Sequence, residues 1–490
     1  MNGMDKIFDP MERAFRAGLG RNELLIPYCL QCDRPHWYPR PICPHCGHAE
    51  RLIDAGRRDG LPRWRLFAVE TIAQPDDRKV VPIEKRTLRR ATEQDREQYD
   101  AAEAALESGL SDGTLNLPTD LIDAEAWSDD RLISYGYRKW TDLFNARQLL
   151  HLALLSREIR DLAEPVRSTI AMAFSDHLTT NCMMASYAHG WRRLTPLFSV
   201  RAFRHIQRPV ELNPWIERTG RGGFPNTVRK LEQAAAYARA PKEPKGLGEF
   251  VSVKAIDAKR KGSVHLGSAR ALTFLSDSSV DVVMTDPPYF DNIAYSELAQ
   301  FFAPWLKALG VIGDLARSQV TNESLVARKN QSESVRKYTS GLGEAFREVA
   351  RVLKSKGIMA FSYRHTEAPA WHALAEAIST TDLHVTTVLP MPGEVGMGLH
   401  GLGERGLWDA VFILRQGRSH PIAQLTVSAE DIKSAHQAVE IWQKRYGELA
   451  IPFNEIDALA LRRAYLVGRA LSKTKNKARA EPISLATALR

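Results

Sequence analysis

The sequence predicts an α/β fold in which a partial doubly wound sheet follows an N-terminal cysteine-rich ribbon and a helical middle region. Three observations predict this architecture. Segments with strand and helix patterns alternate from about residue 250 to residue 414 and close with a hairpin, as they do in a doubly wound sheet. Two pairs of cysteines stand close together near the N-terminus. Helical patterns dominate the stretch from residue 132 to about residue 245.

The chain is long enough for two or three domains, and five segments are predicted. With 490 residues, of which 44% are hydrophobic and 26% charged, it has the composition of a globular protein with a large core. The segments are a ribbon at 1–60, a mixed linker at 61–130, a helical region at 131–245, a half-domain with the candidate site at 246–418, and a basic helical segment at 419–490.

Charge and hydropathy restrict the environment of the protein. The net charge is +9 and the pI is about 9.2, which suits a polyanionic partner such as DNA. The sequence has no run of about 18 apolar residues and no apolar signal region at its N-terminus. These features predict a cytoplasmic protein without a membrane span.

Four cysteines near the N-terminus have the spacing of a structural zinc site. Cys29 and Cys32 form one Cys-x-x-Cys pair, and Cys43 and Cys46 form a second pair after ten intervening residues. Four thiolates at this spacing can close a tetrahedral Zn²⁺ site. Disulfide bonds are the alternative, which a reducing cytosol disfavours. The surrounding sequence YPRPICPHCG also resembles the rubredoxin-like ribbons found beside OB folds in acyl-CoA-binding proteins.

The candidate site is built on the stretch VDVVMTDPPY at residues 280–289. Its apolar, β-branched start predicts a buried strand of a parallel sheet. Pro287 and Pro288 cannot continue a strand ladder, so the strand has to end before them. Because ligands bind at the carboxyl ends of the strands in open α/β sheets, Asp286 and Tyr289 are expected in a binding site.

The residue types in this stretch suit the binding of a flat ring that carries an amino group. Asp286 can accept a hydrogen bond from an exocyclic NH2, and the carbonyl of Pro287 can serve as a second acceptor. Tyr289 offers an aromatic face on which the ring can stack. Two acceptors directed at one nitrogen keep its lone pair turned towards an electrophile. A plain strand-to-turn junction is the alternative, since Asp and Pro are common in turns.

The stretch TDPPYFDNIAYSELAQFFAPWLK, at residues 285–307, resembles the DPPY motif and following helix of the zinc-ribbon-containing, adenine-specific DNA methylases. That family consists of S-adenosylmethionine-dependent amino-methyltransferases. The resemblance implies a Rossmann-like methyltransferase sheet and a flipped-out target base contacted by Tyr289, Phe290 and Asn292. The residues to which it assigns catalytic roles are Asp286, Pro287, Pro288 and Tyr289.

A second candidate segment lies upstream of this motif. Gly267, Ser268 and Ala269 form a small-residue turn that a ligand can approach closely. A short strand is predicted before the turn at residues 264–266, and a helix after it to about residue 275. The methylase resemblance implies that this turn lies against the adenine of S-adenosylmethionine and that Asp286 also lies near the cofactor.

Regular elements are predicted downstream of the motif. The patterns indicate helices at 295–309, 334–353 and 367–379, with Gly357 as the C-cap of the second helix. Strands are predicted at 358–363, 384–389 and 409–414, the last two as a hairpin. Together these elements form the second half of a doubly wound sheet.

One part of a complete methyltransferase is missing from the sequence. The methylases that it resembles carry, before their ribbon, a DPF-x-G-G-G-like loop for the methionine part of the cofactor. Gly401, Gly403 and Gly406 form a GxGxxG pattern, but a strand follows where a dinucleotide site requires a helix, so it is interpreted as a hairpin loop. We therefore expect a second methyltransferase subunit that supplies the glycine loop. Without that subunit's strands, the strand before Asp286 should form an apolar sheet edge.

Some residues keep two interpretations. Arg147 and Gln148 belong to a Phe-x-x-Arg-Gln stretch similar to one in the same methylases, and they suit either phosphate or cofactor contact or a buried structural network. The basic run at 462–479 suits either a solvated tail or a phosphate-contacting arm. Cys182 is expected to pack in the core.

The leading hypothesis is the target-base-binding subunit of a split DNA adenine-N6 methyltransferase, which transfers a methyl group directly from S-adenosylmethionine. The alternative from another class is a non-catalytic DNA- or partner-binding component that retains the base pocket. Cytosine-N4 or RNA targets also stay open, because the motif binds an amino group and not the ring behind it. The sequence does not indicate the biological setting, such as restriction-modification or phage defence.

Overall fold

The computed structural model describes residues 28–29, 34–35, 60–61, 64, 66–72, 82–122, 131–188, 192–200, 203, 206, 209–217, 222–246, 249–255, 262–291, 295–313, 323–328, 331–393, 406–417, 425–472 and 481–490. The chain separates into two compact units. The first comprises Met1–Ala235 and Phe301–Gly313, and the second comprises Ala236–Gln300 and Asp314–Arg490. Both combine helices with small sheets, which confirms the predicted mixed α/β class.

The first unit is mainly helical. Its helices are Glu93–Ser111, Arg131–Ser134, Ala146–Arg160, Val166–Leu178 and Ala303–Ala308, with 3-10 turns at Ile83–Lys85, Trp140–Leu143 and Leu197–Val200. Its strands form small antiparallel pairs, which are Tyr28–Cys29 with Arg34–Pro35, Ala68–Ile72 with Arg86–Arg90, and Ser186–Ala188 with Arg193–Thr195. The helix Phe224–Arg239 runs across the boundary between the units in the sequence.

Aromatic side chains from distant parts of the sequence fill the core of the first unit. Phe144 stacks on Phe301 with ring centroids 5.8 Å apart, and it meets Trp305 edge-on at 5.5 Å.

The single helix predicted at 295–309 is wrong, because the chain forms two short helices, Tyr295–Ala299 and Ala303–Ala308. A proline at the start of the second helix has no amide to donate to the first, so the helix begins anew there.

The second unit is built on a four-stranded sheet. Its strands are β1 (Val280–Thr285), β2 (Leu353–Tyr363), β3 (Leu383–Pro392) and β4 (Trp408–Gln416). They lie in the order β3-β4-β2-β1. β1 is parallel to β2, whereas β4 is antiparallel to both β2 and β3. This confirms the three strands predicted after the motif, including the hairpin.

Four long helices accompany this sheet. They are α1 (Ser332–Val352), α2 (Ala368–Ser379), α3 (Ala429–Glu448) and α4 (Glu455–Ala470). The smaller elements are the helix Leu485–Ala488 and the strand pairs Lys242–Gly246 with Glu249–Ser252 and Thr426–Val427 with Ile483–Ser484. The helices predicted at 334–353 and 367–379 are confirmed. Gly357 is not a C-cap, because Leu353 ends α1 and already begins β2.

The two faces of the sheet differ in burial. Val283 on β1 packs against the hydrophobic core, which includes Met359 and Phe361 on β2. On the opposite face, Val282 and Met284 are 52% and 80% exposed. The predicted buried strand is therefore wrong for this face of β1. A parallel strand is buried on both sides only where other elements cover both faces, and β1 is an edge strand whose outer face no described segment covers.

The residues upstream of β1 differ from the prediction. Val264 and Leu266, predicted as a short strand, are 100% and 93% exposed and pair with no strand in the described part of the chain. The segment that follows forms turns in place of the predicted helix to residue 275. Apolar residues form a strand only where a neighbouring strand pairs with them, and none is present beside β1 among the described residues.

The C-terminal helices belong to the core of the second unit. Side chains of α4 such as Leu461 and Val467 are buried in the same cluster as the sheet. Two arginines of the predicted basic run bind the protein itself. Arg463 donates to the carbonyls of Thr366 and Leu489, and Arg469 binds the carboxylate of Asp431 on α3 at 2.7 Å. Residues 473–480 of that run lie outside the described part of the chain.

Candidate functional site

Three polar side chains meet where β1 and β2 end. One carboxylate oxygen of Asp286, Oδ1, accepts hydrogen bonds from the hydroxyl of Tyr289 and the hydroxyl of Ser362, both at 2.5 Å. The two hydroxyl oxygens lie 3.0 Å apart. The carboxylate is therefore held by one residue from its own loop and by one residue from the neighbouring strand.

The strand register explains why these groups meet. Thr285, the last residue of β1, pairs with Phe361 of β2, so the next residue on each strand lies at the same height. Those residues are Asp286 and Ser362. The two prolines after Asp286 lie outside the strand, and the hydroxyl of Tyr289 binds the carboxylate of Asp286.

Two hydrogen-bond acceptors at this end of the sheet have no partner in the described part of the chain. They are the second carboxylate oxygen of Asp286, Oδ2, and the carbonyl of Pro287. Asp286 is exposed to solvent. These are the two acceptors that the sequence predicted for an amino group, although Pro287 is buried whereas Asp286 is open to solvent.

The ring of Tyr289 is half-buried against a second tyrosine. Its centroid lies 5.3 Å from that of Tyr363, with a tilt of 58°. Burial raises the pKa of Tyr289 above its usual range, and the hydrogen bond to Asp286 adds to this effect. The phenol therefore keeps its proton at neutral pH and acts as a donor to the carboxylate.

A tyrosine of α1 binds the backbone beside Tyr289. The hydroxyl of Tyr338 donates to the carbonyl of Pro288 at 2.8 Å and accepts from the amide of Phe290 at 3.3 Å. Phe290 has a φ of +53°, and its ring is only 2% exposed, packed edge-on against Tyr338 and His365. The ring of Phe290, expected to contact a base, therefore supports the loop from within the core. Asn292, the other residue expected at the base, lies outside the described residues.

A histidine fixes the chain just after this loop. The Nδ1 atom of His365 accepts from the amide of Glu367 at 3.0 Å. Its Nε2 atom therefore carries the proton and donates to the carboxylate of Asp291 at 2.9 Å. This neutral tautomer ties the segment after β2 to the residue that follows Phe290.

The predicted cofactor turn is bound to neighbouring acidic residues. The hydroxyl of Ser268 donates to Glu323 at 2.5 Å, and Arg270 forms an ion pair with Glu344 on α1 at 2.6 Å. Gly267 and Ala269 are exposed, and the nearest atom to a Cβ built on Gly267 is a ring carbon of Phe274 at 3.9 Å. The turn is open to a ligand, but its one hydroxyl already has an acceptor.

Arg147 and Gln148 belong to a structural network in the first unit. Arg147 makes two hydrogen bonds to Glu211, at 2.7 and 2.9 Å, and lies over the ring of Tyr99. The side chain of Gln148 accepts from the amide of Asn145 at the start of its helix. These contacts favour the structural interpretation. Cys182, in the same unit, is fully buried as expected.

The glycine pattern near the end of the second unit is only partly described. Gly401 and Gly403 lie outside the described residues. Gly406 accepts a hydrogen bond from Arg364 at 2.9 Å and stands two residues before β4, so a strand follows it as predicted. A helix N-terminus, which a dinucleotide phosphate requires, is not formed there.

The structure describes little of the cysteine-rich ribbon. Cys29 lies in the short strand Tyr28–Cys29, whereas Cys32, Cys43 and Cys46 lie outside the described residues. No cluster of three or more possible metal ligands occurs among the residues that are described. Within the same residues, no helix combines the length and apolar character needed to cross a membrane.

One family matches part of the chain. Residues 16–52 match the family described as ChsH2, rubredoxin-like zinc ribbon domain. The matched segment contains all four cysteines. It confirms the resemblance to rubredoxin-like zinc ribbons and indicates structural zinc in this segment. No curated protein matches the chain. The resemblance to the DNA methylases lies outside the matched segment and stays a hypothesis.

Proposed function

We propose that this chain is the target-base-binding subunit of an S-adenosylmethionine-dependent DNA adenine-N6 methyltransferase. The observation that carries the proposal is the arrangement around Asp286. Its carboxylate is held through one oxygen by Tyr289 and Ser362, so the other oxygen is left for a ligand, and the carbonyl of the next residue, Pro287, has no partner among the described residues. Two acceptors and an aromatic ring at the carboxyl end of an edge strand suit a flat ring with an amino group.

Each residue has a stated role in this proposal. The free oxygen of Asp286 and the carbonyl of Pro287 accept the two hydrogens of the target amino group, which directs the nitrogen lone pair at the methyl group. Tyr289 stacks on the flipped-out base. S-adenosylmethionine, when bound, supplies an electrophilic methyl group. The amino nitrogen forms its bond to the methyl carbon as the carbon–sulfur bond breaks, and the nitrogen then releases a proton to water. Catalysis rests on proximity and alignment.

The proposal includes a second polypeptide that carries the cofactor glycine loop. Three features support it. Among the described residues no strand pairs with the outer edge of β1, Val282 and Met284 on it are exposed, and Val264 and Leu266 upstream of it are more exposed still. An exposed apolar edge strand is a site for pairing with another chain. A partner that pairs a strand with β1 and packs other elements on the outer face would cover these side chains and bring a cofactor loop to the same end of the sheet.

The outer face of the sheet offers the partner more apolar surface. Ile358 pairs with Val282, and Ala360 pairs with Met284, so these side chains share one face. Ala360 also pairs with Ile413 of β4, which extends the face across the sheet. The proposed interface is therefore apolar and obligate in character.

The cofactor turn and the zinc ribbon have separate roles. Gly267, Ser268 and Ala269 are proposed to lie against the cofactor adenine, and the open space around Gly267 supports this. In the ribbon, Cys29, Cys32, Cys43 and Cys46 are proposed as the four ligands of a structural zinc ion, in agreement with the matched domain.

Methyl transfer with and without the second subunit tests the proposed function. The chain is co-purified with a polypeptide that carries a DPF-x-G-G-G-like segment, and each protein is also assayed alone. Tritium from labelled S-adenosylmethionine should enter unmethylated plasmid DNA only with both proteins present. Binding of DNA without methyl transfer in the complex would favour a non-catalytic binding component. Methyl transfer to RNA would show that the substrate is RNA and not DNA. N4-methylcytosine as the product would show that the target base is cytosine and not adenine.

A further inference from the structure

Phe290 has a backbone conformation that is rare for its residue type. Its φ of +53° lies in the left-handed region, which a bulky side chain seldom occupies unless its surroundings hold it there. The side chains of Tyr289 and Phe290, although adjacent in the sequence, consequently lie in different environments. The ring of Phe290 is buried within the core, whereas that of Tyr289 is half-buried against the core and places its hydroxyl at the candidate site. The strained residue therefore separates the proposed stacking ring from the ring that anchors the loop.

One buried hydroxyl holds both backbone groups next to Tyr289. The carbonyl of Pro288 precedes Tyr289 and the amide of Phe290 follows it, and both bind the hydroxyl of Tyr338. A phenol has one proton to donate and two lone pairs to accept, so it can satisfy both groups at once. The bridge limits rotation of the backbone on both sides of Tyr289.

The bridge is rigid because Tyr338 belongs to the core. The residue is 1% exposed and comes from α1, the longest helix of the second unit. Its ring packs edge-on against Phe290 with centroids 5.3 Å apart. A second hydroxyl, that of Tyr363, lies 3.4 Å away. Burial raises the pKa of Tyr338 to about 12, so the hydroxyl keeps the proton that it donates.

We infer that Tyr338 is a positioning residue for Tyr289. Its hydroxyl fixes the backbone on both sides of Tyr289 and so sets the ring on which the target base stacks. This inference rests on the proposed function, because it concerns the same base site. Tyr338 itself touches neither the base nor the cofactor, and its effect reaches the reaction only through Tyr289.

A double-mutant cycle tests this dependence. Tyr338→Phe removes the hydroxyl and keeps the ring. In the complex with the second subunit, it should raise the KM for unmethylated plasmid DNA by about tenfold, because both hydrogen bonds that fix the backbone beside Tyr289 are lost. In the Tyr289→Ala background the same change should alter KM less than about twofold, because no ring remains to be positioned. Tyr137→Phe, which alters an equally buried tyrosine of the first unit, is the control and should behave as wild type.

The outcomes separate the inference from the proposed function. A wild-type complex without methyl transfer removes the proposed function and the inference with it. If the wild type is active and Tyr338→Phe matches it, only the inference is overturned. An equal rise in KM with and without the ring of Tyr289 would assign Tyr338 a purely structural role. So would a Tyr338→Phe protein that fails to fold while Tyr137→Phe folds.

Discussion

The carboxylate of Asp286 and the hydroxyl of Ser362 come from neighbouring parallel strands and meet at 2.5 Å. Ser362 thereby holds one oxygen of a carboxylate that is exposed to solvent. The same oxygen also receives the hydroxyl of Tyr289 at 2.5 Å. Since both donors bind one oxygen, the other oxygen of this exposed residue has no partner in the described part of the chain.

Replacing the proposed stacking ring should weaken DNA binding. Stacking of a base on an aromatic side chain contributes about 1–3 kcal/mol, so Tyr289→Ala should raise the Kd for DNA roughly 5- to 150-fold. Tyr289→Phe keeps the ring and loses only the contacts of the hydroxyl with Asp286 and Ser362, so its Kd should stay near that of the wild type. Fluorescence anisotropy at one fixed salt concentration measures both. A Tyr289→Ala complex that binds like the wild type would exclude stacking.

A charge on the free edge should prevent assembly with the second subunit. Met284→Lys places an ammonium group on the exposed apolar face of β1, where a partner that covers this face would have to desolvate it. Co-purification with the second subunit should be lost, and the lone chain should self-associate less. Met172→Lys changes an exposed methionine of the first unit and serves as the control. Normal assembly of the Met284→Lys chain would exclude β1 from the interface.

The N-terminal cysteine-rich ribbon should bind zinc independently of the candidate site around Asp286. Metal analysis of protein purified without chelator should find about one Zn²⁺ per chain, since four cysteines form one closed site. Cys32→Ser should lower the zinc content and the solubility of the protein. The rate of methyl transfer per folded complex should change less. Cys182→Ser, in the core of the first unit, should leave the zinc content unchanged. Metal-free wild-type protein would contradict this assignment.

The buried His177 and its half-buried neighbour His151 should make the first unit sensitive to acid. The Nε2 atoms of His151 and His177 lie 2.9 Å apart. Burial lowers the pKa of His151 to about 4; burial, and then its neighbour, lower that of His177 to about 3. In the unfolded chain both titrate near pH 6.5. Below that pH the unfolded state therefore binds more protons, so the stability present above pH 6.5 is lost as the pH falls towards 3.

Thermal unfolding at pH 7.5 and pH 5 checks this dependence. The Tm of the wild type should fall more between these two values than that of His151→Gln, which lacks one of the groups. His436→Gln, which replaces an exposed histidine on α3, should follow the wild type. Equal falls for all three proteins would show that the pair is not the source of the acid sensitivity.

Local patterns predicted the sheet of the second unit, but not the contacts that complete the site. The strands and helices after the motif follow from their own periodicity and end signals. Ser362 becomes part of the site only through its register against β1, which no local pattern reveals. The ring of Phe290 looked suited to a base, yet a positive φ turns it into the core. The exposure of Val282 and Met284 depends on which elements cover the sheet, and an apolar run alone does not specify them.

The break in the helix predicted at 295–309 has a similar cause. The apolar pattern of this stretch continues past its middle, but Phe301 and Trp305 pack with Phe144 in the first unit. Tyr295–Ala299 stays in the second unit. Tertiary contacts in another part of the fold thus override a periodic signal.

The most direct test of the proposed function compares two aspartates of one strand and its loop. Asp286→Ala removes the proposed acceptor, whereas Asp281→Ala removes an exposed carboxylate at the other end of β1, where it binds Lys354 at 2.8 Å. DNA treated with each complex and S-adenosylmethionine is digested, and its nucleosides are measured by mass spectrometry. N6-methyladenine should appear with the wild type and with Asp281→Ala, and should be absent with Asp286→Ala at an unchanged Tm. Wild-type amounts of N6-methyladenine from the Asp286→Ala complex would contradict the account.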